Sequence, residues 1–244
     1  MILAAGLGTR LMPLTSGIPK ALIKVNGIPL LELAIRKLAV EGFGEIIVNI
    51  HHHGEQIREF LQLNHFRGVT IEISDETDLL LDTGGGILKA RWFLEGNQPF
   101  LVYNVDIITS LSLRNMIKSH TDSRALATLA VSMRQTSRYF LFNQQNLLCG
   151  WMDARTGTTR WSGEPSPDAQ PLAFSGIHVI SPEIFSVMTE TVRFSIVDAY
   201  LRLAEAHPIK AYNHTGAAWF DLGKPEQIKM VSDYVSTHPE FLPE

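Results

Sequence analysis

The sequence predicts an α/β protein in which a mainly parallel sheet is covered by helices on both faces. Short apolar runs that are typical of buried strands alternate with segments that carry apolar residues at helical spacing. A glycine-rich turn follows the first apolar run, and Asp106 closely follows a later one. Ligands of such sheets bind beyond the carboxyl ends of the strands, so these two positions predict one ligand site.

Turn-forming residues separate the predicted strands from the predicted helices, and Gly42, for example, ends the first helix. In chain order, the predicted strands are Met1–Ala5, Glu45–Ile50, Val69–Ile73, Pro99–Tyr103, Ala125–Met133, Ala173–Ile180 and Ile209–Asn213. The predicted helices are Leu30–Glu41, Glu55–Leu63, Gly84–Leu94, Leu113–His120, Pro182–Glu190, Ile196–Ala206 and Glu226–Ser236.

The segment from about 135 to 171 interrupts this alternation. Strand-like pieces at Tyr139–Phe142 and Leu147–Trp151 are mixed there with Gly, Ser and Pro. We interpret the segment as a small β-rich insertion or flap. A length of 244 residues is sufficient for one large α/β domain, and we expect a single domain over residues 1–244.

The composition is that of an ordinary globular protein, with 45% hydrophobic and 19% charged residues. The formal net charge of −4 argues against nucleic-acid binding and against an anionic membrane surface. The single cysteine, Cys149, excludes an internal disulfide framework and suits a reducing cytoplasm. No apolar run approaches the length of a membrane span. We expect a cytoplasmic protein, and a monomer and a small homo-oligomer both remain open.

The loop after the first strand carries the strongest functional signal. Gly6 and Gly8 let the backbone approach a ligand and point N–H groups at anionic oxygens. Thr9 and Arg10 follow, and Pro19-Lys20 comes after a spacer. The planar fork of an arginine and the point charge of a lysine both suit phosphate. The loop therefore predicts a polyphosphate site.

Other interpretations of the loop are weaker. A dinucleotide-binding turn requires G-x-G-x-x-G, and Leu11 occupies the position of the third glycine. No window of the chain supplies the G-x-x-x-x-G-K-[ST] pattern of a P-loop. The remaining alternative is an ordinary glycine turn in which Arg10 and Lys20 are solvated.

A carboxylate at the end of a strand can hold Mg²⁺ against a phosphate, because Mg²⁺ prefers one or two carboxylates together with phosphate and water. Asp106 has this position, and the alternative is a cap on the next turn. The run His51–His53 does not predict a metal site, since neighbouring residues at a strand end point in different directions. We interpret that run as a polar loop.

Thr83 precedes three glycines, Gly84 to Gly86, at the start of a predicted helix. Glycines there allow a flat base or sugar to lie against the backbone with N–H groups free. Glu76, a few residues upstream, is a candidate acceptor for the N–H donors of a base edge. The alternative for Glu76 is an exposed loop residue without a specific role.

The loop pattern G-x-G-T-R, followed after a spacer by P-K, resembles the signature of the sugar-1-phosphate nucleotidyltransferases, also called nucleotide-sugar pyrophosphorylases. The resemblance extends from Leu3 to about Ile228. It implies a three-layer, Rossmann-like fold with a mixed, mainly parallel central sheet and a small β-rich insertion. It also implies a Mg²⁺-dependent transfer of a nucleotidyl group from a nucleoside triphosphate to a sugar-1-phosphate, with release of pyrophosphate.

The resemblance also implies roles for individual residues. Arg10 and Lys20 are expected to be catalytic, while Asp106 and Asp221, the latter in W-F-D-L-G, are expected to hold the metal. Asn104 and Gly176 are expected at the sugar phosphate. The alternative for Gly176 is a strand bulge, and the alternative for Asp221 is a cap on the final helix. The expected nucleotide-binding residues are Leu3, Ala5, Gly6, Gly8, Thr9, Glu76, Thr83, Gly84 and Gly85.

The chain departs from many members of that family in ways that bear on its substrate. Gly163-Glu164-Pro165 lacks the lysine of the family's E-K-P segment, and the larger members' G-T-A-G is here D-T-G-G-G. We expect no left-handed β-helix acyltransferase domain. These features are most similar to short uridylyltransferases that act on N-acetylmuramate-1-phosphate in cell-wall recycling. The alternatives are a GTP-dependent mannose- or heptose-1-phosphate guanylyltransferase and a catalytically silent regulator that binds nucleotide sugar.

Overall fold

A computed structural model describes residues 1–238 and 241–242 of the chain. The chain forms two compact units. The first consists of Met1–Leu80, Tyr103–Leu111 and Ala218–Glu244. The second consists of Leu81–Val102 and Ser112–Ala217. In the described residues, no helix combines the length and the apolar character that crossing a membrane requires.

The helices and strands have the following bounds. The α-helices are Leu30–Val40 (α1), Gly54–Leu63 (α2), Asp82–Lys89 (α3), Arg91–Leu94 (α4), Leu113–Ser123 (α5), Ile184–Val187 (α6), Ile196–Leu203 (α7) and Pro225–Thr237 (α8). The strands are Ile2–Leu3 (β1), Lys24–Val25 (β2), Ile28–Pro29 (β3), Glu45–Ile50 (β4), Thr70–Asp75 (β5), Phe100–Asn104 (β6), Ile107–Thr109 (β7), Ala127–Ser132 (β8), Arg138–Phe142 (β9), Leu148–Asp153 (β10), Thr158–Trp161 (β11), Gln170–Ile180 (β12), Ile209–Asn213 (β13) and Trp219–Asp221 (β14).

The sheet of the first unit is parallel. Strand β1 lies between β4 and β6, with Ile2 opposite Val48 on one side and Tyr103 on the other. Strand β5 extends the sheet beyond β4 in the same direction. Parallel strands are buried on both faces, which explains why five of the six residues of β4 are buried. The carboxyl ends of these strands consequently meet at one edge.

Two antiparallel strand pairs in the first unit consist of strands too short to show periodicity in the sequence. Strand β2 pairs antiparallel with β3. Strand β14 pairs antiparallel with β7, and Asp221 lies opposite Ile107. The backbone N–H of Leu222 also donates to the carbonyl oxygen of Asp106 at 2.9 Å. This second pair brings the chain segments of Asp106 and Asp221 together.

The sheet of the second unit is mixed. Strand β12 pairs antiparallel with β8, and β8 pairs parallel with β13. The first residues of β12 pair with β9, which continues antiparallel into β10 and β11. Strands β9, β10 and β11 lie in the segment that the sequence identifies as β-rich. The predicted α/β class, with a mixed central sheet and a small β-rich insertion, is confirmed.

Several predicted element bounds are wrong, and the reasons are local. The strand predicted at Met1–Ala5 is limited to β1, because the Ala4 N–H donates to the side chain of Asn49 and not to a backbone carbonyl of a neighbouring strand. The helix predicted over Gly84–Leu94 is divided into α3 and α4 at Ala90. The helix predicted over Pro182–Glu190 is reduced to α6, because Met188 has an extended backbone.

Buried histidines occupy the core of the second unit. His178 Nδ1 is hydrogen bonded to the hydroxyl of Tyr200, and both residues are fully enclosed. His120 bonds to Thr128 at 2.9 Å and to Ser181 at 3.0 Å. Burial lowers the pKa of His178 to about 3 and the pKa of His120 to about 4. Both rings are therefore neutral in the folded protein at neutral pH.

The protein should lose stability as the pH falls from about 6.5 towards 3. In this range His178 is protonated in the unfolded chain but stays neutral in the folded protein, because burial lowers its pKa. Each such histidine contributes a slope of up to about 1.4 kcal/mol per pH unit. His178→Gln should show a shallower slope in the free energy of unfolding, measured by urea denaturation at several pH values. The exposed control His65→Gln should keep the wild-type slope. Equal slopes in all three proteins would contradict this prediction.

Candidate active site

The glycine loop folds back on itself through Thr15. Gly8 has a φ of +64°, a conformation that favours glycine, and a single 3-10 turn at Thr9–Leu11 follows it. The buried hydroxyl of Thr15 donates to the carbonyl oxygen of Gly8 at 2.9 Å. A Cβ at Gly8 would lie 2.9 Å from Thr15 Cγ2, so both conformation and space require glycine here. Gly6 and Arg10 remain exposed on this loop.

A buried chain of hydrogen bonds supports the start of the loop. The Ala4 N–H donates to Asn49 Oδ1 at 2.7 Å, and Asn49 Nδ2 donates to Glu76 Oε1 at 2.7 Å. His51 Nδ1 is hydrogen bonded to the carbonyl oxygen of Glu76, also at 2.7 Å. Glu76 has no solvent exposure and Asn49 is 3% exposed. The side chain of Glu76 thus braces the first strand.

This burial corrects two interpretations of the sequence. Glu76 is neither an exposed loop residue nor an accessible acceptor for a base edge, since its carboxylate is enclosed. The adjacent His51 supports the same corner, whereas the rings of His52 and His53 contact each other at a tilt of 49°, with centroids 3.9 Å apart. The sequence offered no signal for Asn49, which lies inside a strand that otherwise consists mainly of apolar residues.

Four charged side chains meet at the end of the parallel sheet. Lys20 forms an ion pair with Asp106, and both side chains are largely buried. Asp221 Oδ1 accepts a hydrogen bond from the Gly223 N–H at 2.9 Å. The Arg10 guanidinium also lies close to Gly223, since a Cβ on that residue would be 2.7 Å from its Nη2. We call Arg10, Lys20, Asp106 and Asp221 the charged cluster.

The electrostatics of the charged cluster are those of two carboxylates that repel each other. Burial and the charge of Asp106 raise the pKa of Asp221, while Lys20 and Arg10 oppose this shift. Carboxylate oxygens are the ligands that Mg²⁺ prefers, and two of them leave room for phosphate and water. The donor set therefore fits Mg²⁺. In the described part of the chain, no group of three or more His, Cys, Asp or Glu residues forms a metal site.

The glycines of α3 serve close packing within the second unit. The N–H groups of Gly84 and Gly85 donate to the carbonyl oxygen of Phe194 at 3.0 and 3.3 Å. A Cβ would lie 2.3 Å from the ring of Phe194 at Gly84 and 2.2 Å from the carbonyl oxygen of Val192 at Gly85. The Thr83 hydroxyl accepts the N–H of Ile196 at 3.0 Å. The expectation that these N–H groups are free is wrong in this structure.

The two residues expected at a sugar phosphate lie at strand irregularities or ends. Gly176 has a φ of +74° and occupies the register shift between Phe174 and His178 in β12. Asn104 is the last residue of β6 and lies opposite Leu3. Gly176 thus has the bulge geometry that the sequence allowed as an alternative, and its contact with a sugar stays a prediction.

A family model described as nucleotidyl transferase matches residues 1–237. The chain belongs to the nucleotidyl transferase family. The predicted resemblance to sugar-1-phosphate nucleotidyltransferases is thereby confirmed.

Curated relatives cover nearly the whole chain. The N-acetylmuramate alpha-1-phosphate uridylyltransferase of Neisseria meningitidis serogroup B is 30% identical over 94% of both chains. The enzyme of the same name from Caulobacter vibrioides is 29% identical over 96% of this chain and 94% of its own.

A solved structure of another nucleotidyl transferase supports the fold. The UDP-glucose pyrophosphorylase from Acinetobacter baumanii superposes with a TM-score of 0.79, at 20% identity, over 98% of this chain and 94% of that one. At this identity the likeness concerns the fold alone. It agrees with the mixed sheet described above.

The burial of Asp221 and the like charge of Asp106 predict that Asp221→Asn has opposite effects on stability and on metal binding. With EDTA present, Asp221→Asn should raise the thermal midpoint at neutral pH, because an ionised Asp221 with a raised pKa costs folding free energy. The gain should shrink as the pH falls through that raised pKa, where the wild-type carboxyl is protonated. About 1 kcal/mol corresponds to about 2–4 °C in a domain of this size.

Added Mg²⁺ should reverse the order of the two proteins, because ligand binding stabilises only the protein that has both carboxylates. Differential scanning fluorimetry with and without Mg²⁺ measures both effects. The exposed substitution Asp122→Asn provides the control, since Asp122 pairs with Lys118 on the surface. A wild-type midpoint that does not respond to Mg²⁺ would remove the metal assignment.

Proposed function

We propose that the chain transfers the uridylyl group of UTP to N-acetylmuramate-1-phosphate and releases pyrophosphate. The observation that carries this proposal is the charged cluster, in which Arg10, Lys20, Asp106 and Asp221 meet beside the glycine loop. The near full-length match to two N-acetylmuramate alpha-1-phosphate uridylyltransferases supports the choice of substrates. The product is a nucleotide sugar, which the chain would supply to cell-wall recycling in the cytoplasm.

The proposed reaction is an in-line displacement at the α-phosphorus of the triphosphate. An anionic oxygen of the sugar phosphate forms a new bond to that phosphorus. The bond from the α-phosphorus to the oxygen that bridges it to the β-phosphorus breaks, and its electron pair leaves with pyrophosphate. No general base is needed, because the attacking oxygen is already deprotonated. The protein's task is to orient the reactants and to neutralise charge.

Different residues of the first unit bind the phosphates and stabilise the developing charge. The exposed Arg10 offers a planar fork of N–H donors to the departing β- and γ-phosphates. The backbone around Gly6 and Gly8 provides N–H groups for the same anion. Lys20 is held beside Asp106 by their ion pair, where its ammonium group can stabilise charge that develops in the transition state.

Asp106 and Asp221 are the residues that would hold Mg²⁺. When bound, the ion would supply charge neutralisation for the phosphate oxygens of both substrates. The raised pKa of Asp221 is consistent with this role, because a bound cation would offset the burial and the like charge that raise it. Without the ion, the Lys20 ammonium provides part of that compensation.

The second unit supplies residues whose roles remain proposals. Thr83, Gly84 and Gly85 belong to α3, and their contact with a base requires the Phe194 segment to release the N–H groups that it now accepts. Gly176 is proposed at the sugar because its positive φ leaves a position without a side chain within β12. These two proposals are independent of the charged cluster.

The decisive experiment measures pyrophosphate release with Mg²⁺ for UTP, GTP, CTP, ATP and dTTP against several sugar-1-phosphates. The sugars include N-acetylmuramate-, mannose-, heptose- and glucose-1-phosphate. We expect release with UTP and N-acetylmuramate-1-phosphate. Release with GTP and mannose- or heptose-1-phosphate would replace the proposed substrates by those of a guanylyltransferase. No release with any pair, together with intact binding of a triphosphate, would indicate a silent nucleotide-binding regulator.

Asp106→Asn should lower kcat/KM by at least about 100-fold, since even partners that only orient metal ligands cost about 10–100-fold when they are changed. The amide preserves the shape of the side chain but removes its charge and weakens its pairing with Lys20. The measurement is steady-state pyrophosphate release at saturating Mg²⁺, with Asp122→Asn as the surface control. Unchanged activity in Asp106→Asn would remove Asp106 from the mechanism.

A further inference from the structure

We infer that Gly223 is a positioning residue whose missing side chain leaves a seat for the Arg10 guanidinium beside Asp221. The inference rests on the proposed function, in which Arg10 binds the departing phosphates. Gly223 follows β14 by two residues, and its lack of a side chain explains how an exposed arginine on a short loop can be held in one place.

The seat is defined by distances from the point where a Cβ on Gly223 would lie. That point is 2.7 Å from Arg10 Nη2, 3.0 Å from Arg10 Cζ and 2.9 Å from Asp221 Oδ1. Ordinary van der Waals contacts of a Cβ are at 3.4–4 Å. The guanidinium and the carboxylate therefore flank a space that any side chain at position 223 would occupy.

Backbone conformation does not explain the glycine. The φ of Gly223 is not positive, whereas Gly8 has a φ of +64°. The N–H of Gly223 donates to Asp221 Oδ1, and an alanine would retain this donor. What an alanine would change is the space over the backbone, which is the space that Arg10 uses.

The seat holds Arg10 by shape and leaves its donors available. The described residues form no ion pair and no hydrogen bond with the Arg10 guanidinium, although two carboxylates lie in the same cluster. An arginine side chain loses rotamer entropy when it is ordered. A preformed seat reduces that loss at the moment of binding, and the N–H fork remains available to a phosphate.

Gly223→Ala tests the inference, because the atoms that it displaces include the end of a flexible side chain and the fold should be retained. We expect kcat/KM for the triphosphate to fall by about 10–100-fold, as displacements of about 1 Å can cost 10²-fold. Gly96→Ala is the matched control, since a Cβ at Gly96 has no atom within 4 Å and its φ is not positive. Its activity should equal that of the wild type.

A double-mutant cycle separates Arg10 from the neighbouring carboxylate. If Gly223 acts through Arg10, Gly223→Ala should have little effect in the Arg10→Ala background, and the Mg²⁺ activation constant should not move. If the substitution acts through Asp221, its full effect should persist in that background and the Mg²⁺ activation constant should rise. The second result would overturn the inference and leave the proposed function intact.

Calorimetric binding of inorganic pyrophosphate provides a measurement that needs no turnover. We expect Gly223→Ala and Arg10→Ala to weaken binding to a similar extent, and Gly96→Ala to leave it unchanged. Wild-type affinity in Gly223→Ala would overturn the inference even if turnover is found. Weakened binding in both variants of a protein that shows no turnover with any substrate pair would support the seat and reject the proposed function.

Discussion

The antiparallel pairing of β14 with β7 places Asp221 opposite Ile107 and brings two carboxylates into one small region. Burial and the like charge of Asp106 together raise the pKa of Asp221. The remaining charges of the first unit's site follow from this constraint. Lys20 pairs with Asp106, and Arg10 lies just beyond Gly223. The charged cluster is thus a balanced arrangement that a divalent cation and phosphates can complete.

Glycine is needed at several positions of this structure, for three different physical reasons. Gly8 needs both its positive φ and the space that Thr15 occupies. Gly84 and Gly85 need only space, because the Phe194 segment crosses α3 at backbone distance. Gly223 needs space for a side chain that has to remain available to a ligand. A glycine-rich motif in a sequence therefore identifies a close approach without identifying the atoms that approach.

The sequence predicted the parts of the fold and site that local patterns determine. The alternation of apolar strands and helices is local, and so is the loop that contains Gly8, Arg10 and Lys20. The burial of Glu76 depends on Asn49 from a neighbouring strand, which no spacing reveals. The loss of free N–H groups at Gly84 depends on Phe194, far along the chain. The β2–β3 and β7–β14 pairs have strands of two or three residues, too few for a periodic signal.

The buried carboxylate of Glu76 links the stability of the first unit to the geometry of its loop. Its acceptor oxygen fixes the Asn49 amide, and that amide fixes the N–H of Ala4 at the point where β1 ends. Removing one member of such a buried chain leaves polar atoms unsatisfied, which costs about 1–3 kcal/mol. The orientation of the glycine loop is therefore set by the core beneath it. Arg10 projects from that loop, and its guanidinium lies close to Gly223.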